Sequence, residues 1–443
     1  MEIKRILIAN RGEIALRALR TIKEMGKEAV VVYSTADKDA LYVKYADVAI
    51  CIGKERSSDS YLNIPAIISA AEISEADAIF PGYGFLSENQ NFVEICSHHK
   101  LKFIGPSVAA MALMSDKSKA KQVMQRAGVP VIPGSDGAVA DTKAAKELAK
   151  KIGYPVILKA AAGGGGRGMR VVEREEDIEK AFWSAESEAM SAFGDGTMYM
   201  EKYILNPRHI EVQVIGDSHG NVLHIGERDC SMQRRHQKLI EESPAILLDD
   251  DTRARLHETA IRAAKAIGYE GAGTFEFLVD KNLDFYFIEM NTRLQVEHCV
   301  SEMVSGLDII ELMIKVAQGE ALPPQESITL KGHAIECRIT AEDPNTFTPS
   351  PGKITKYVCP GGRNVRMDSH IYQDYSIPPY YDSMIGKLIV WDTDRNRAIH
   401  KMKVALEQLI IGGIKTTRDF HIAMMENQDF IDNNYDTNYL SRR

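Results

Sequence analysis

Apolar positions along the first hundred residues switch repeatedly between two periods. Arg5–Ala9 is a continuous apolar run of the kind a buried strand carries, and Arg11–Met25 places Ile14, Leu16, Leu19 and Ile22 at helical spacing before Gly26 ends the run. Glu28–Ser34 returns to a strand pattern, Ile64–Ile73 to a helix, and Ala78–Pro81 and Lys102–Gly105 to short strands. Such alternation predicts a parallel sheet with helices on its faces. A linking helix over Lys117–Ala127 leads to a second small unit: helix Thr142–Ile152, strand Pro155–Ala160, a glycine loop, strand Met169–Val172 and helix Glu176–Met190. From Met198 strands dominate to about residue 330, and the remainder holds short strands, the proline-punctuated Asp343–Pro351 and a closing helix, Asn396–Leu409. No repeat, low-complexity tract or free linker interrupts the order.

Length and charge narrow the class. At 443 residues the chain predicts three domains, or two with subdomains, and it is long enough to bury a core without staples. Lys plus Arg number 54 against 62 Asp plus Glu, a net charge of −8, which argues against bulk nucleic-acid binding. No apolar run approaches the ~18 residues that span a bilayer. The apolar stretch after Lys4-Arg5 is short and lacks a cleavage site, so it reads as a strand and not a signal peptide. Cysteines 51, 96, 230, 299, 337 and 359 lie far apart with no CxxC pair. That spacing predicts reduced thiols in a cytoplasmic setting, without a disulfide frame or a zinc site.

The glycine loop Lys159-Ala160-Ala161-Ala162-Gly163-Gly164-Gly165-Gly166-Arg167-Gly168 contains a formal G-x-G-x-x-G. A dinucleotide fingerprint needs a helix directly after it, whereas Met169-Arg170-Val171-Val172 alternates like a strand, and no Gly-Lys-Ser/Thr of a P-loop follows. A dehydrogenase reading therefore fails. The loop reads instead as a hairpin tip whose bare N–H groups close over phosphates, with Lys159 as a cation for the same anion, or as a plain surface turn.

Gly273–Val279 and Phe285–Asn291 are aromatic-rich, β-prone arms around the turn Asp280–Asp284. Closure near Val279 and Tyr286 places Glu276 opposite Glu289, with Asn291 on the Glu289 face. Opposed carboxylates in apolar surroundings call for a cation between them, and hard oxygen ligands suit Mg²⁺ held jointly with substrate phosphates. The alternative is a solvated hairpin face. In Thr292-Arg293-Leu294-Gln295-Val296-Glu297-His298 an extended backbone points Arg293, Gln295 and Glu297 one way. A fork-shaped cation, an amide and a carboxylate could hold a small oxyanion and deprotonate it, or form a salt-bridged edge strand.

A further polar cluster, Glu227–Lys238, would place His236 and Lys238 on one face if extended, as His209 and Glu211 are upstream. Zinc lacks a suitably spaced third ligand here, and a nucleic-acid patch lacks interleaved aromatics. Taken alone, His209 and His236 are as readily structural as functional.

In combination these segments resemble the ATP-grasp superfamily and, within it, the biotin carboxylases. Tyr154–Ala160 with its glycine flap and Phe287–Leu294 resemble the two signatures shared with carbamoyl-phosphate synthetases. Ile8–Ala15, Pro81–Asn89, Arg228–Lys238, Arg293–His298 and Gly332–Arg338 narrow the match, which covers essentially the whole chain. The resemblance implies an α/β and α+β multidomain protein. Residues 1–115 would form a Rossmann-like parallel-sheet domain, 116–330 an ATP-grasp domain with a mobile glycine-flap lid at about 131–203, and 331–443 a mixed α+β domain.

It also implies carboxylation of the biotin ureido nitrogen, driven by ATP and bicarbonate. By similarity, Lys117, Lys159, Glu201, Lys202, Tyr203, Ile204, His209, Gln233 and His236 would hold the nucleotide, and Gly165 and Gly166 would cover its phosphates. Glu276 and Glu289, with Asn291, would hold two Mg²⁺ (or Mn²⁺). Lys238, Arg293, Gln295 and Val296 would bind bicarbonate, Glu297 would act as its base, and Arg338 and Tyr83 would meet biotin. ATP and bicarbonate would give carboxyphosphate, liberated phosphate would remove the ureido proton, and Arg338 would stabilise the developing enolate oxygen. Ala161-Ala162 departs from the Ser-Gly of some relatives, which touches only a hydroxyl contact at the flap. No Met-Lys-Met biotinylation sequence occurs, so a biotin carboxyl carrier protein and carboxyltransferase subunits are expected as other chains. The resemblance further suggests a homodimer in acetyl-CoA carboxylase, or a similar subunit of a pyruvate or propionyl-CoA system.

Overall fold

The computed structural model of the protein describes residues 2–160 and 168–442. Gly165 and Gly166, the flap glycines named above, lie outside the described residues. The chain forms two compact units, Met1–Val129 with Arg208–Phe277 and Glu289–Arg443, and Pro130–Pro207 with Leu278–Ile288.

The larger unit opens with five parallel strands: β1 (Arg5–Ile8), β2 (Glu28–Ser34), β3 (Val48–Gly53), β4 (Ala78–Phe80) and β5 (Lys102–Phe103). Their spatial order is β3-β2-β1-β4-β5, so the winding reverses between β1 and β4. Crevices form beyond the carboxyl ends of strands at such a reversal. There Asn10 Nδ2 donates to the carbonyls of Pro81 at 2.7 Å and Tyr83 at 2.8 Å, fixing the loop that carries Tyr83. Helix Gly12–Glu24 buries Ile14, Leu16, Leu19 and Ile22, and helix Ile64–Ile73 is capped by Asn63, whose Oδ1 accepts from Ala66 N at 3.1 Å.

The smaller unit contains β6 (Val156–Ala160), β7 (Met169–Val172) and β8 (Met198–Lys202) in the antiparallel order β7-β6-β8. Lys159 stands opposite Met169, so β6 and β7 are hairpin arms and the dinucleotide reading of the glycine loop is excluded. Helices Thr142–Ile152 and Ile178–Phe193 cover this sheet, with Leu158, Phe182 and Met200 in its core.

The remaining strands of the larger unit build one eight-stranded sheet. They are β9 (Arg208–Gly216), β10 (Val222–Arg234), β11 (Gln237–Ser243), β12 (Gly271–Val279), β13 (Phe285–Asn291) and β14 (His333–Thr340), and, past the short β15 (Lys356–Val358), β16 (Val365–Ser369) and β17 (Met384–Asp392). Their order is β13-β12-β9-β10-β11-β14-β17-β16, and β18 (Ile410–Gly412) pairs with β15 apart from it.

Two local expectations change. The Arg228–Lys238 stretch is not extended throughout: Arg235 (φ 50°) and His236 (φ 65°) make a tight turn between β10 and β11. Positive φ at both central positions suits a two-residue hairpin, and it puts His236 at an exposed tip instead of on the face of Lys238. Thr292–Glu297 is likewise a bend and turn before helix His298–Ser305, because Glu88 takes both the backbone N–H and the hydroxyl of Thr292. Among the described residues no helix is long and apolar enough to cross a membrane, and the six cysteines are free thiols.

Candidate active site

Lys238, near the start of β11, sends its ammonium to three carboxylates: Glu211 Oε2 at 2.6 Å, Glu297 Oε1 at 2.7 Å and Glu276 Oε1 at 3.1 Å. Burial opposes a charge at this place, but Glu211, Glu297 and Glu276 outweigh it and hold the ammonium well above its ordinary range. Glu211 (β9) and Glu276 (β12) come from neighbouring strands, and Glu297 from the turn that opens helix His298–Ser305.

Glu276 is the most connected of the three. Its Oε1 also accepts from Asn291 Nδ2 and Gln295 Nε2, each at 2.8 Å, and Oε2 lies 2.9 Å from His209 Nε2, an ion-pair approach outside hydrogen-bond geometry. Burial alone would raise this carboxyl, but Lys238 and then His209 pull it well below the usual range. The same contact raises His209 against the effect of its own burial. Because Asn291 reaches Glu276 from the adjacent strand, Glu289, two residues earlier on β13, shares that face. Glu289 is half exposed, with Lys117 Nζ at 3.4 Å. The donor set of Glu276, Glu289 and the Asn291 amide oxygen is all oxygen, and the cations gathered at Glu276 mark a place built for positive charge. It fits a hard divalent cation.

Glu297 lies between two cations. Lys238 takes Oε1, and Arg338 Nη2 takes Oε2 at 2.8 Å. Burial would raise it, but Lys238, Arg338 and Arg228 together hold it well below the carboxylate range, so it is ionised at neutral pH. Arg338, on β14, also donates Nε to Glu241 Oε1 at 2.6 Å. Arg293 is placed beside these groups: Nε meets Glu88 Oε2 and Nη2 meets Asn291 Oδ1, each at 3.0 Å. The Val296 carbonyl accepts from Lys387 Nζ at 2.7 Å. Tyr83 donates to Glu13 and lies within electrostatic reach of Arg338.

Of the residues singled out in the sequence, the larger unit thus connects His209, Lys238, Glu276, Asn291, Arg293, Gln295, Glu297 and Arg338 through hydrogen bonds and ion pairs, with Gln233 Nε2 3.5 Å from His209 Nδ1. In the smaller unit Lys159 Nζ meets Glu201 Oε2 at 2.6 Å, and Lys202 spends its ammonium on the carbonyls of Gly153 and Tyr154. Tyr203 and Ile204 follow directly on β8.

Sequence reasoning gave no role to Arg228, which is fully buried on β10. All of its nitrogens are engaged: Nε with Glu211 (2.6 Å), Nη1 with Gln213 (2.7 Å) and Ser301 (3.0 Å), Nη2 with Gln295 (2.8 Å) and Thr274 (3.1 Å). It orients both Glu211 and Gln295. Glu13, Glu88, Glu241 and Glu336 were likewise missed. The available signal was a charged residue inside an apolar strand, as in Ala334-Ile335-Glu336-Cys337-Arg338.

Comparison with known proteins gives a consistent identification. Residues 2–111 match the family model for the biotin carboxylase N-terminal domain, 116–325 the carbamoyl-phosphate synthase L chain ATP-binding domain, and 336–442 the biotin carboxylase C-terminal domain. The chain is 56% identical over 442 residues to the biotin carboxylase of a Nostoc species, covering 99% of each. The crystal structure of the Campylobacter jejuni biotin carboxylase–β-γ-ATP complex superposes with a TM-score of 0.93 at 84% identity, over 100% of this chain and 99% of that one. The biotin carboxylase domain dimer of the Hydrogenobacter thermophilus 2-oxoglutarate carboxylase, in complex with MgADP, ADP and bicarbonate, superposes with a TM-score of 0.90 at 49% identity, over 100% and 98%. The chain therefore belongs to the biotin carboxylase family within the ATP-grasp enzymes, ligases that use ATP, Mg²⁺ and bicarbonate to carboxylate biotin.

Proposed function

We propose that the protein supplies the first half-reaction of an acetyl-CoA carboxylase: carboxylation of biotin on a separate biotin carboxyl carrier protein, for transfer by carboxyltransferase subunits. The observation that carries the reading is Glu297 held between Lys238 and Arg338, with Lys238 also bonded to Glu276. Base, oxyanion cations and metal carboxylate are thereby joined by single contacts.

In this reading bicarbonate sits against Arg293, Lys238, the Gln295 amide and the Val296 backbone, which mainly supply position for attack on the γ-phosphate. Glu276, Glu289 and Asn291 hold Mg²⁺, which neutralises phosphate charge when bound. Glu297 takes the bicarbonate proton. A carboxylate pinned by two cations is a poor base, so its strength must come on binding: as Lys238 and Arg338 turn to the incoming anion, proton affinity returns to Glu297. Arg338 and Tyr83 meet biotin, and Arg338 offsets the charge that develops on its ureido oxygen.

Lys117, His209, Gln233 and His236 of the larger unit hold the nucleotide, as do Lys159 and Glu201, Lys202, Tyr203 and Ile204 of the smaller one, with Gly165 and Gly166 over the phosphates. We assign 1–115, 116–330 and 331–443 as the three domains and the cytoplasm as the location, with a homodimer as the working form. A carbamoyl-phosphate synthetase-like ligase using ammonia would share Glu276, Glu289 and the flap but gives no reason for Arg338. Pyruvate or propionyl-CoA as final acceptor remains the second reading, since the Hydrogenobacter relative is named for 2-oxoglutarate.

Two experiments test this. Free biotin should stimulate bicarbonate-dependent ADP release; ammonia-dependent release without a biotin effect would overturn the assignment. The biotinylated protein that co-purifies with the chain should come with acetyl-CoA-specific carboxyltransferase subunits, and a pyruvate- or propionyl-CoA-specific partner would replace that acceptor.

A further inference from the structure

Glu336 on β14 stands directly opposite Glu241 on β11, and both are 0% exposed. Two ionised carboxylates so opposed, away from water, repel one another unless a cation lies between them. The cations on this face are committed elsewhere. Arg338, two residues along β14, donates to Glu241 Oε1 and Glu297 Oε2. Lys387, opposite Arg338 on β17, donates to the Val296 carbonyl and lies 3.4 Å from Glu13. Among the described residues neither oxygen of Glu336, nor Glu241 Oε2, meets a hydrogen-bond donor.

The charge count points the same way. Glu13, Glu211, Glu241, Glu276, Glu297 and Glu336 face the fixed cations Arg228, Lys238, Arg338 and Lys387, with His209 as a fifth when protonated. Helix His298–Ser305, packed on this side of β14, adds His298 and Cys299, both of which burial keeps neutral. Helix Arg418–Met425 adds only His421, also kept neutral by burial, whose Nε2 bonds the Arg338 carbonyl. Helix Arg395–Gln408 also packs on β14; its Arg395 pairs with Glu242, outside this cluster. At least one carboxyl must keep its proton. Burial raises Glu336 well above the carboxylate range, and raises Glu241 to about 7 in spite of Arg338.

We propose that Glu336 is a positioning residue for biotin carboxylation: it carries a proton at the working pH, and as a neutral acid it leaves Glu241 as the single counter-charge that aims Arg338 toward Glu297 and the biotin position. Loss of that proton puts a second negative charge beneath the guanidinium and draws it off the substrate. The inference deepens the proposed role of Arg338 and rests on it.

The test uses the full-length enzyme. Infrared difference spectroscopy of wild type against Glu336→Gln at neutral pH should show the carbonyl stretch of a protonated, buried carboxylic acid that the variant lacks. Biotin-dependent kcat/KM of the wild type should fall as pH rises through the ionisation of the pair, by about tenfold per pH unit beyond its midpoint. In Glu336→Gln, which mimics the neutral acid permanently, that alkaline limb should move up by about one pH unit or more, or vanish. No such band, or an identical alkaline limb in both proteins, would overturn the proposal. Should the variant fail to fold, pH titration of the band in wild type labelled with carbon-13 glutamate reads the same proton. Failure of the Arg338 assignment is a separate outcome: it appears as equal loss of both activities in Arg338→Ala, with the infrared band intact.

Discussion

Lys238 Nζ lies 2.7 Å from Glu297 Oε1, and this one ammonium also bonds Glu211 and Glu276. Substituting Lys238→Gln leaves three buried carboxylates short of a cation, and stranding buried charge in this way costs about 3–5 kcal/mol. The expected outcome is a lower thermal midpoint together with a loss of bicarbonate-dependent ADP release of roughly 10²-fold or more. Unaltered turnover in a folded variant would remove Lys238 from the oxyanion site.

Glu289→Gln should weaken metal binding and abolish biotin-dependent ATP cleavage at ordinary Mg²⁺. Glu289 is half exposed and its only ion pair is with Lys117, so the fold should tolerate the change. ADP release measured across a Mg²⁺ titration separates a metal defect, which shifts with concentration, from a general one. Near-normal turnover at low Mg²⁺ contradicts the assignment.

Arg338→Ala should damage biotin carboxylation more than the bicarbonate-dependent ATPase measured without biotin. Each bond lost to a developing oxyanion is worth roughly 10²–10³ in rate. The two activities, assayed side by side, give the answer directly.

Glu227, fully buried on β10, accepts from Ala245 N, Arg253 Nε and His257 Nε2. Burial would raise it, but the His257 hydrogen bond and then Arg253 bring it down to about 2. A carboxyl lowered on folding contributes stability that is complete above its unfolded pKa of about 4.3 and is lost as the pH falls toward 2. Between pH 6 and pH 3 this group alone accounts for about 2 kcal/mol of lost stability. In Glu227→Gln, urea unfolding at the two pH values should differ by less than in the wild type by about that amount.

Strands and helices with a clean period were legible in the sequence: Glu28–Ser34, Ile64–Ile73, Thr142–Ile152 and Phe285–Asn291 appear with the expected ends. Val48–Gly53 was not read, because an edge strand with alternate residues exposed has only weak apolar contrast. The turn at Arg235–His236 was hidden since neither residue is a usual choice for positive φ. At the site, the sequence pointed to side chains lying close together along the chain, such as Glu289, Asn291 and Arg293. Partners that arrive from distant strands carry no local mark. Arg228 reaches Gln295 across 67 positions, and Arg338 reaches Glu241 across 97. Period alone gives the face of a strand but not which strand lies next to it.

The eight-stranded sheet has a consequence for anyone who would shorten or recombine this chain. Strands β14, β17 and β16 come after Leu330, yet they continue the sheet begun by β9–β13, with Glu241 and Glu242 of β11 in register with Glu336 and Ile335 of β14. Severing the chain there would expose the raw edge of β11, with its buried acids bared to water and its unpaired amides open to any passing strand. A hybrid that swaps the last third between relatives would function only if the cut ends re-zip and the acids of both parents remain compatible.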